Sequence, residues 1–385
     1  MAERIALAAG EHSGDLLAAL VLPALRAQVP SAQCAGIAGA RMIAAGCEPW
    51  FHVRELSVRG YAEVLSQLPR LALLQRRFIA RARQWPATLF IGVDAPDFNI
   101  GIAARLRHAG VRTMQYVCPA VWAWRPRRMT AIAAAYDHLL CVFPFEQALF
   151  GAAGIAATYV GHPLAATIPR VPDAAAARAR LGVPVGRPTI ALLPGSRRAE
   201  VAALAPPFLG AAALLAREDA ALQFVLPVAD AGLRPRLAGL VARAGLDRER
   251  LHLIDERSHD CIEAADAVAV ASGTATLETM LFKRPMVIAY KVPRLTELIT
   301  LRQALIPYIG LPNVLEGRYT VPELLQERVT PAAIARELRS LLERPAAVAQ
   351  LRERFDRQHE LLLRDTPALV AQAIADNLAR RGAAR

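Results

Sequence analysis

The chain has 385 residues, 54% of them hydrophobic and 6% aromatic, which suggests two or three domains and is ample for large buried cores. Its net charge of +12 comes almost wholly from arginine, with Lys283 and Lys291 the only lysines, and it favours anionic partners such as phosphorylated metabolites, an anionic membrane or nucleic acid. The arginines are dispersed and no RNA- or DNA-binding signature is present, so nucleic acid is set aside.

Short apolar runs alternate with amphipathic helical runs from end to end. In the first half the strand candidates are Arg4–Ala9, Cys34–Ala38, Thr88–Val93, Arg112–Val117, His138–Phe143 and Thr158–Val160. In the second half they are Thr189–Leu193, Gln223–Pro227, Leu251–Ile254, Ala267–Ala271 and Met286–Tyr290. Continuous apolar strands between helices predict parallel sheets covered on both faces. There are too many strands for one doubly wound sheet. The proline-rich segment 162–172 reads as a linker. The expected fold class is therefore α/β, with two Rossmann-like domains at 1–165 and 174–345. A helical tail begins near Thr330, and residues 346–385 form C-terminal helices that could pack back on the first domain. Ligands are expected at the carboxyl ends of the strands, in a cleft between the halves.

Five cysteines, Cys34, Cys47, Cys118, Cys141 and Cys261, show neither a C-x-x-C pair nor zinc spacing and read as buried free thiols in a reducing compartment. Glu11, His12 and Asp15 break the apolar N-terminal region, so it does not read as a secretory signal. The longest uncharged apolar run, 201–216, carries Pro206 and Pro207 and falls short of a membrane span. A soluble or peripheral protein is expected.

The most informative motif is LLPGSRRAEV, Leu192–Val201. It reads as strand, tight turn and helix start, where unpaired N–H groups and the helix dipole suit a phosphate. Gly195 allows close approach, Ser196 could cap the helix, and Arg197 or Arg198 could grip phosphate oxygens. An ordinary turn with two surface arginines fits the same residues. In Ala271–Glu278 (ASGTATLE), Ser272, Gly273, Thr274 and Thr276 could receive a diphosphate at a second helix start, and Glu278 could accept hydrogen bonds from a ribose. A plain capped helix is the alternative.

In the first half, AGEHSGD (Ala9–Asp15) fails the G-x-G-x-x-G spacing. Glu11 and Asp15 would repel a phosphate, so Gly10, Ser13 and Gly14 suit a sugar or a capped helix. GVDAPDFN (Gly92–Asn99) places Asp94 and Asp97 at a strand end, where either could be a general base or a helix cap. Tyr116–Arg128 holds Trp122, Trp124 and three arginines, either a binding wall or core packing. Tyr61–Arg83 sets Leu65, Leu68, Leu71, Leu74 and Phe78 among arginines, either a basic membrane-lying helix or one packed on its own sheet. No P-loop, H-E-x-x-H, G-x-S-x-G, EF-hand or D-x-D motif is present.

Taken in order, AGEHSGD, GVDAPDFN, YVCPAVWAWRPRR, FPFE, VGHPL, LLPGSRRAEV, ASGTATLE and LPNVL resemble the lipid-A-disaccharide synthase family nearly end to end. The resemblance implies the two-domain, metal-independent GT-B glycosyltransferase fold, with no cofactor. It implies transfer from UDP-2,3-diacylglucosamine to 2,3-diacylglucosamine 1-phosphate (lipid X), giving a β-1,6-linked disaccharide 1-phosphate and UDP. It implies inversion, with Asp97 or, second, Asp94 as base. Arg197, Gly195, Ser196, Ser272, Gly273, Thr274, Thr276 and Glu278 would take the UDP. Glu11, Ser13, Gly14, Asn99, Trp122 and Asn313 would line the sugar sites. The protein is then expected in the cytoplasm, peripherally bound to the inner membrane through Leu65, Leu68, Leu71, Leu74 and Phe78; a homodimer is allowed. Ala18, where relatives often carry glycine, and Arg59, where an apolar residue is expected, depart from the pattern. Another UDP-sugar enzyme on the same fold, such as an epimerase, or a nucleotide-binding module without catalysis are the alternatives.

Overall fold

A computed structural model describes residues 2–10, 12–56, 61–123, 128–247, 249–292 and 305–379. The chain divides into two compact units, Met1–Ala166 with Leu361–Arg385, and Thr167–Glu360.

In the first unit the elements run β1 (Arg4–Ala9), α1 (His12–Gln28), β2 (Gln33–Ala38), α2 (Ala40–Ala44), β3 (Glu48–His52), α3 (Tyr61–Gln84), β4 (Leu89–Val93), α4 (Pro96–His108), β5 (Arg112–Tyr116), α5 (Arg128–Ala135), β6 (His138–Cys141), α6 (Pro144–Ala152), β7 (Ala157–Tyr159) and α7 (Pro163–Thr167). The sheet order is β3-β2-β1-β4-β5-β6-β7, and every pairing is parallel. Strands β1 and β4 are buried along nearly their whole length, as their apolar runs require; β5 is equally buried although it carries Thr113 and Gln115, which hydrogen-bond to the Ala135 and Asp94 carbonyls. One face is filled by Phe78, Phe90, Ile102, Leu106, Ile132, Leu139 and Phe150.

The second unit runs α8 (Ala174–Leu181), β8 (Thr189–Leu193), α9 (Arg198–Glu218), β9 (Gln223–Val228), α10 (Arg234–Arg243), β10 (Leu251–Asp255), α11 (Ser258–Ala264), β11 (Ala267–Ala271), α12 (Thr274–Leu281), β12 (Met286–Tyr290), α13 (Leu311–Glu316), β13 (Glu323–Leu325), α14 (Pro331–Glu343) and α15 (Pro345–Leu362). Its sheet, β10-β9-β8-β11-β12-β13, is also all parallel. Helix α9 is long and apolar enough to cross a membrane by composition, but Val201, Leu204, Phe208, Leu209 and Leu215 bury it in the core of this unit. Helix α16 (Thr366–Ala379) belongs to the first unit, where it packs on α1.

Each sheet reverses its winding once, between β1 and β4 in one unit and between β8 and β11 in the other. At such a point the loops leaving two adjacent strands diverge to opposite faces and open a crevice outside their carboxyl ends.

Candidate functional site

In the first unit the crevice at β1 and β4 is built from Gly10, Ser13 and Gly14 and from Asp94–Asp97. The two loops are in van der Waals contact. Gly10 donates its N–H to the Val93 carbonyl at 3.1 Å, and a Cβ on Gly10 would stand 2.0 Å from that of Ala95. Nothing larger than glycine fits there. Asp94 and Ala95 have φ of 58° and 36°, the left-handed region that costs a non-glycine residue energy. Two buried amides hold this turn from beneath: Asn99 Nδ2 and Gln115 Nε2 both donate to the Asp94 carbonyl, at 2.8 and 2.9 Å. Ser13 Oγ donates to the Asp94 carboxylate at 2.6 Å. The Asp97 carboxylate stands on the first turn of α4, 69% exposed and paired with the Arg128 guanidinium. It is the more accessible of the two acids.

Trp122, on the loop after β5, is half-buried. Its indole N–H donates to Glu146 Oε1 at 3.0 Å, and its ring meets Phe143 and Phe145 edge to face. The Glu146 carboxylate also accepts from the N–H groups of Val142 and Phe143 at 3.2 and 3.1 Å. It is 1% exposed, and burial pushes its pKa up from 4.5 to about 7 despite those hydrogen bonds. Glu146 is a site residue with no role expected from the motifs above, although a glutamate three residues into a helix after Phe143 has capping-box spacing. Pairing of β5 with β6 also brings two cysteines together: the Cys118 and Cys141 sulfurs lie 3.7 Å apart beside Glu146.

In the second unit, β8 and β11 are adjacent, so the Pro194–Arg197 turn and the Ser272–Thr274 turn leave neighbouring strands at the same edge. Gly195 adopts φ +109°, open to glycine alone, and a Cβ there would lie 2.6 Å from Glu200 Oε2. Glu200 curls back over the turn. Its Oε2 accepts from the N–H groups of Ser196 and Arg197, each at 3.2 Å, and its Oε1 meets Arg197 Nη1 at 3.3 Å. The cap of α9 is thus Glu200 with Arg197 at the boundary, in place of the expected Ser196 hydroxyl. Arg197 itself is 77% exposed.

Several expected contacts are redirected by burial. Asn99 is fully buried under the Asp94 turn, and Asn313 is fully buried with its amide bonded to Val321 O, Glu323 Oε1 and the N–H groups of Thr320 and Val321. Both shape their loops and present no surface to a sugar. Thr276 is fully buried and donates to the Gly273 carbonyl, while Ser272 Oγ donates to the Ile309 carbonyl. Asp15 points inward and caps α2 through the N–H groups of Gly39, Arg41 and Met42. On α3, Leu74 and Phe78 are core residues, 4% and 0% exposed. Leu71 is half-buried, and Leu68 is 50% exposed. The solvent face carries Leu73, Arg76 and Arg77 instead. Glu11, Arg59, Trp124 and the Leu65 side chain lie outside the described residues.

A family model described as lipid-A-disaccharide synthetase matches residues 5–374. Relatives named lipid-A-disaccharide synthase from Cupriavidus pinatubonensis and Paraburkholderia phymatum are 48% and 47% identical over 379 and 382 residues. Each alignment covers 98% of this chain, with 94% and 97% of the respective relatives. Among solved structures, S. aureus MnaA with UDP superposes with a TM-score of 0.63 at 12% identity, over 97% of this chain and 95% of that one. Anabaena HepE with UDP and glucose gives 0.58 at 16% identity, over 98% and 100%. Acinetobacter baumannii MurG gives 0.56 at 12% identity, over 98% and 99%. These likenesses are of the fold, which is shared by glycosyltransferases and epimerases.

Proposed function

Because the chain belongs to the lipid-A-disaccharide synthase family, and is thereby a hexosyltransferase of lipid A biosynthesis, we propose that it transfers diacylglucosamine from UDP-2,3-diacylglucosamine to the 6-hydroxyl of lipid X with inversion. The observation that carries the nucleotide half is that the Pro194–Arg197 turn already holds an anion. The Glu200 carboxylate sits on two backbone N–H groups and one guanidinium, the donor set a diphosphate needs. On donor binding the diphosphate displaces Glu200, and Gly195, Ser196, Arg197, Ser272, Gly273 and Thr274 take it. Glu278 takes the ribose diol.

Asp97 is the base. It accepts the proton of the acceptor hydroxyl as that oxygen bonds to the anomeric carbon and the bond to UDP breaks on the opposite face. Arg197 and the turn amides gain strength as charge develops on the leaving diphosphate, which lowers the barrier. Asp94, held by Ser13 on its strained turn, orients the acceptor sugar with Gly14 and Trp122. No metal or cofactor enters the scheme, so EDTA should leave turnover unchanged. The exposed Leu68 and Leu73 beside Arg70, Arg76 and Arg77 support a peripheral seat on the cytoplasmic face of the inner membrane, where both lipid substrates reside. The test is product formation from UDP-2,3-diacylglucosamine and lipid X, read by mass spectrometry. Release of UDP with no disaccharide, or epimerisation of the donor, would replace this reading with another UDP-sugar activity.

A further inference from the structure

We infer that His259 is a positioning residue for the nucleotide's ribose, acting through Glu278. This rests on the reading that Glu278 takes the ribose. Helix α11 follows β10 and helix α12 follows β11, so both start at the carboxyl edge of the sheet. There His259 Nε2 lies 3.5 Å from Glu278 Oε2. Among the described residues it is the only ion-pair partner of Glu278. The imidazole is set edge to face against Phe282, with centroids 5.5 Å apart, which limits its rotation from the other side.

The charges around His259 are accounted for one by one. Asp260 and Glu263 lie on its own helix; Arg180 from α8 pairs with both, and Arg257 pairs with Asp260. Those two acids are therefore engaged, while Glu278 from α12 faces the imidazole directly. His259 sits in the first turn of α11, where a helix dipole disfavours a cation. Its pKa is nonetheless raised, first by the hydrogen bond to Glu278. The pair is present when His259 is protonated and is lost as pH rises through the raised pKa. A carboxylate already held in one rotamer loses less freedom when it accepts the two ribose hydroxyls, and this makes the site selective for a ribonucleotide.

The test compares UDP with 2′,3′-dideoxy-UDP by calorimetry at pH 6 and pH 8.5. The wild type should prefer UDP at pH 6 and lose part of that preference at pH 8.5. His259→Gln should lower the preference at pH 6 roughly fivefold and remove its pH dependence. His259→Arg should keep the preference at both pH values, because its cation does not titrate. Equal preference and equal pH dependence in wild type and His259→Gln would overturn the inference. Glu278→Gln separates the two layers. If it loses the preference while His259→Gln keeps it, His259 alone is dismissed; if Glu278→Gln keeps the preference, the ribose assignment itself has failed and the inference falls with it.

Discussion

Replacing Glu146 with Gln measures what it costs to bury a carboxylate against Trp122. Burial lifts its pKa from 4.5 to about 7. Below pH 4.5 the group is protonated whether folded or unfolded. Between 4.5 and 7 the unfolded chain ionises while the folded one holds its proton, so stability falls as pH rises across that window and is level above it. At about 1.4 kcal/mol per pH unit the loss is about 3 kcal/mol. Gln does not titrate, so this fall disappears in the variant. Gln also offers a single oxygen. With that oxygen on the Val142 and Phe143 amides, its NH2 faces the Trp122 indole N–H, and one buried donor goes unmet at about 1–3 kcal/mol. The variant should therefore be less stable than wild type at pH 5 by about 1–3 kcal/mol and close to it, or ahead, at pH 8. Urea titrations at pH 5, 6, 7 and 8 read this from tryptophan fluorescence. All four tryptophans, Trp50, Trp85, Trp122 and Trp124, lie in the first unit, so the signal reports that unit alone. Parallel stability–pH curves for the two proteins would refute the assignment of a raised pKa to Glu146.

Asp97→Asn should cut turnover by roughly 10²–10⁴ with donor affinity unchanged, and Asp94→Asn should cost less; the reverse order in steady-state kinetics would move the base to Asp94. Arg197→Ala should slow the reaction about a hundredfold or more, and wild-type kinetics in that variant would remove it from the leaving-group site. Glu200→Gln should tighten UDP binding severalfold, because a neutral amide competes less with the diphosphate than a carboxylate does; weaker binding would show that Glu200 serves only to cap α9. Leu68→Ser with Leu73→Ser should release the protein from anionic vesicles with little change in stability, whereas Phe78→Ala, fully buried, should cost about 3–5 kcal/mol in urea titration. Unchanged vesicle sedimentation of the leucine variant would place the membrane contact elsewhere.

What could be read from the chain by itself is what is written in local runs. The buried strands β1, β4, β8, β11 and β12 are continuous apolar segments, and their parallel pairing follows from the helices between them. The glycines and acids of the strand-end loops were equally legible, because loop chemistry is set by neighbours in sequence. The edge strands β3 and β13 were not. Both are only partly covered: β3 is broken by Glu48, Pro49 and His52, and β13 is just three residues long, so neither carries an apolar run to mark it. Side-chain partners between distant segments were also out of reach. Whether Phe78 meets lipid or Phe90, whether Asn313 meets a sugar or Val321, and whether Glu200 faces solvent or the turn amides depends on what the fold brings alongside. A helix with leucines and arginines has the same pattern in either setting. Only the tertiary structure, by covering one face of α3 with the sheet and leaving Leu73 and its arginines outside, decides which residues are free to act.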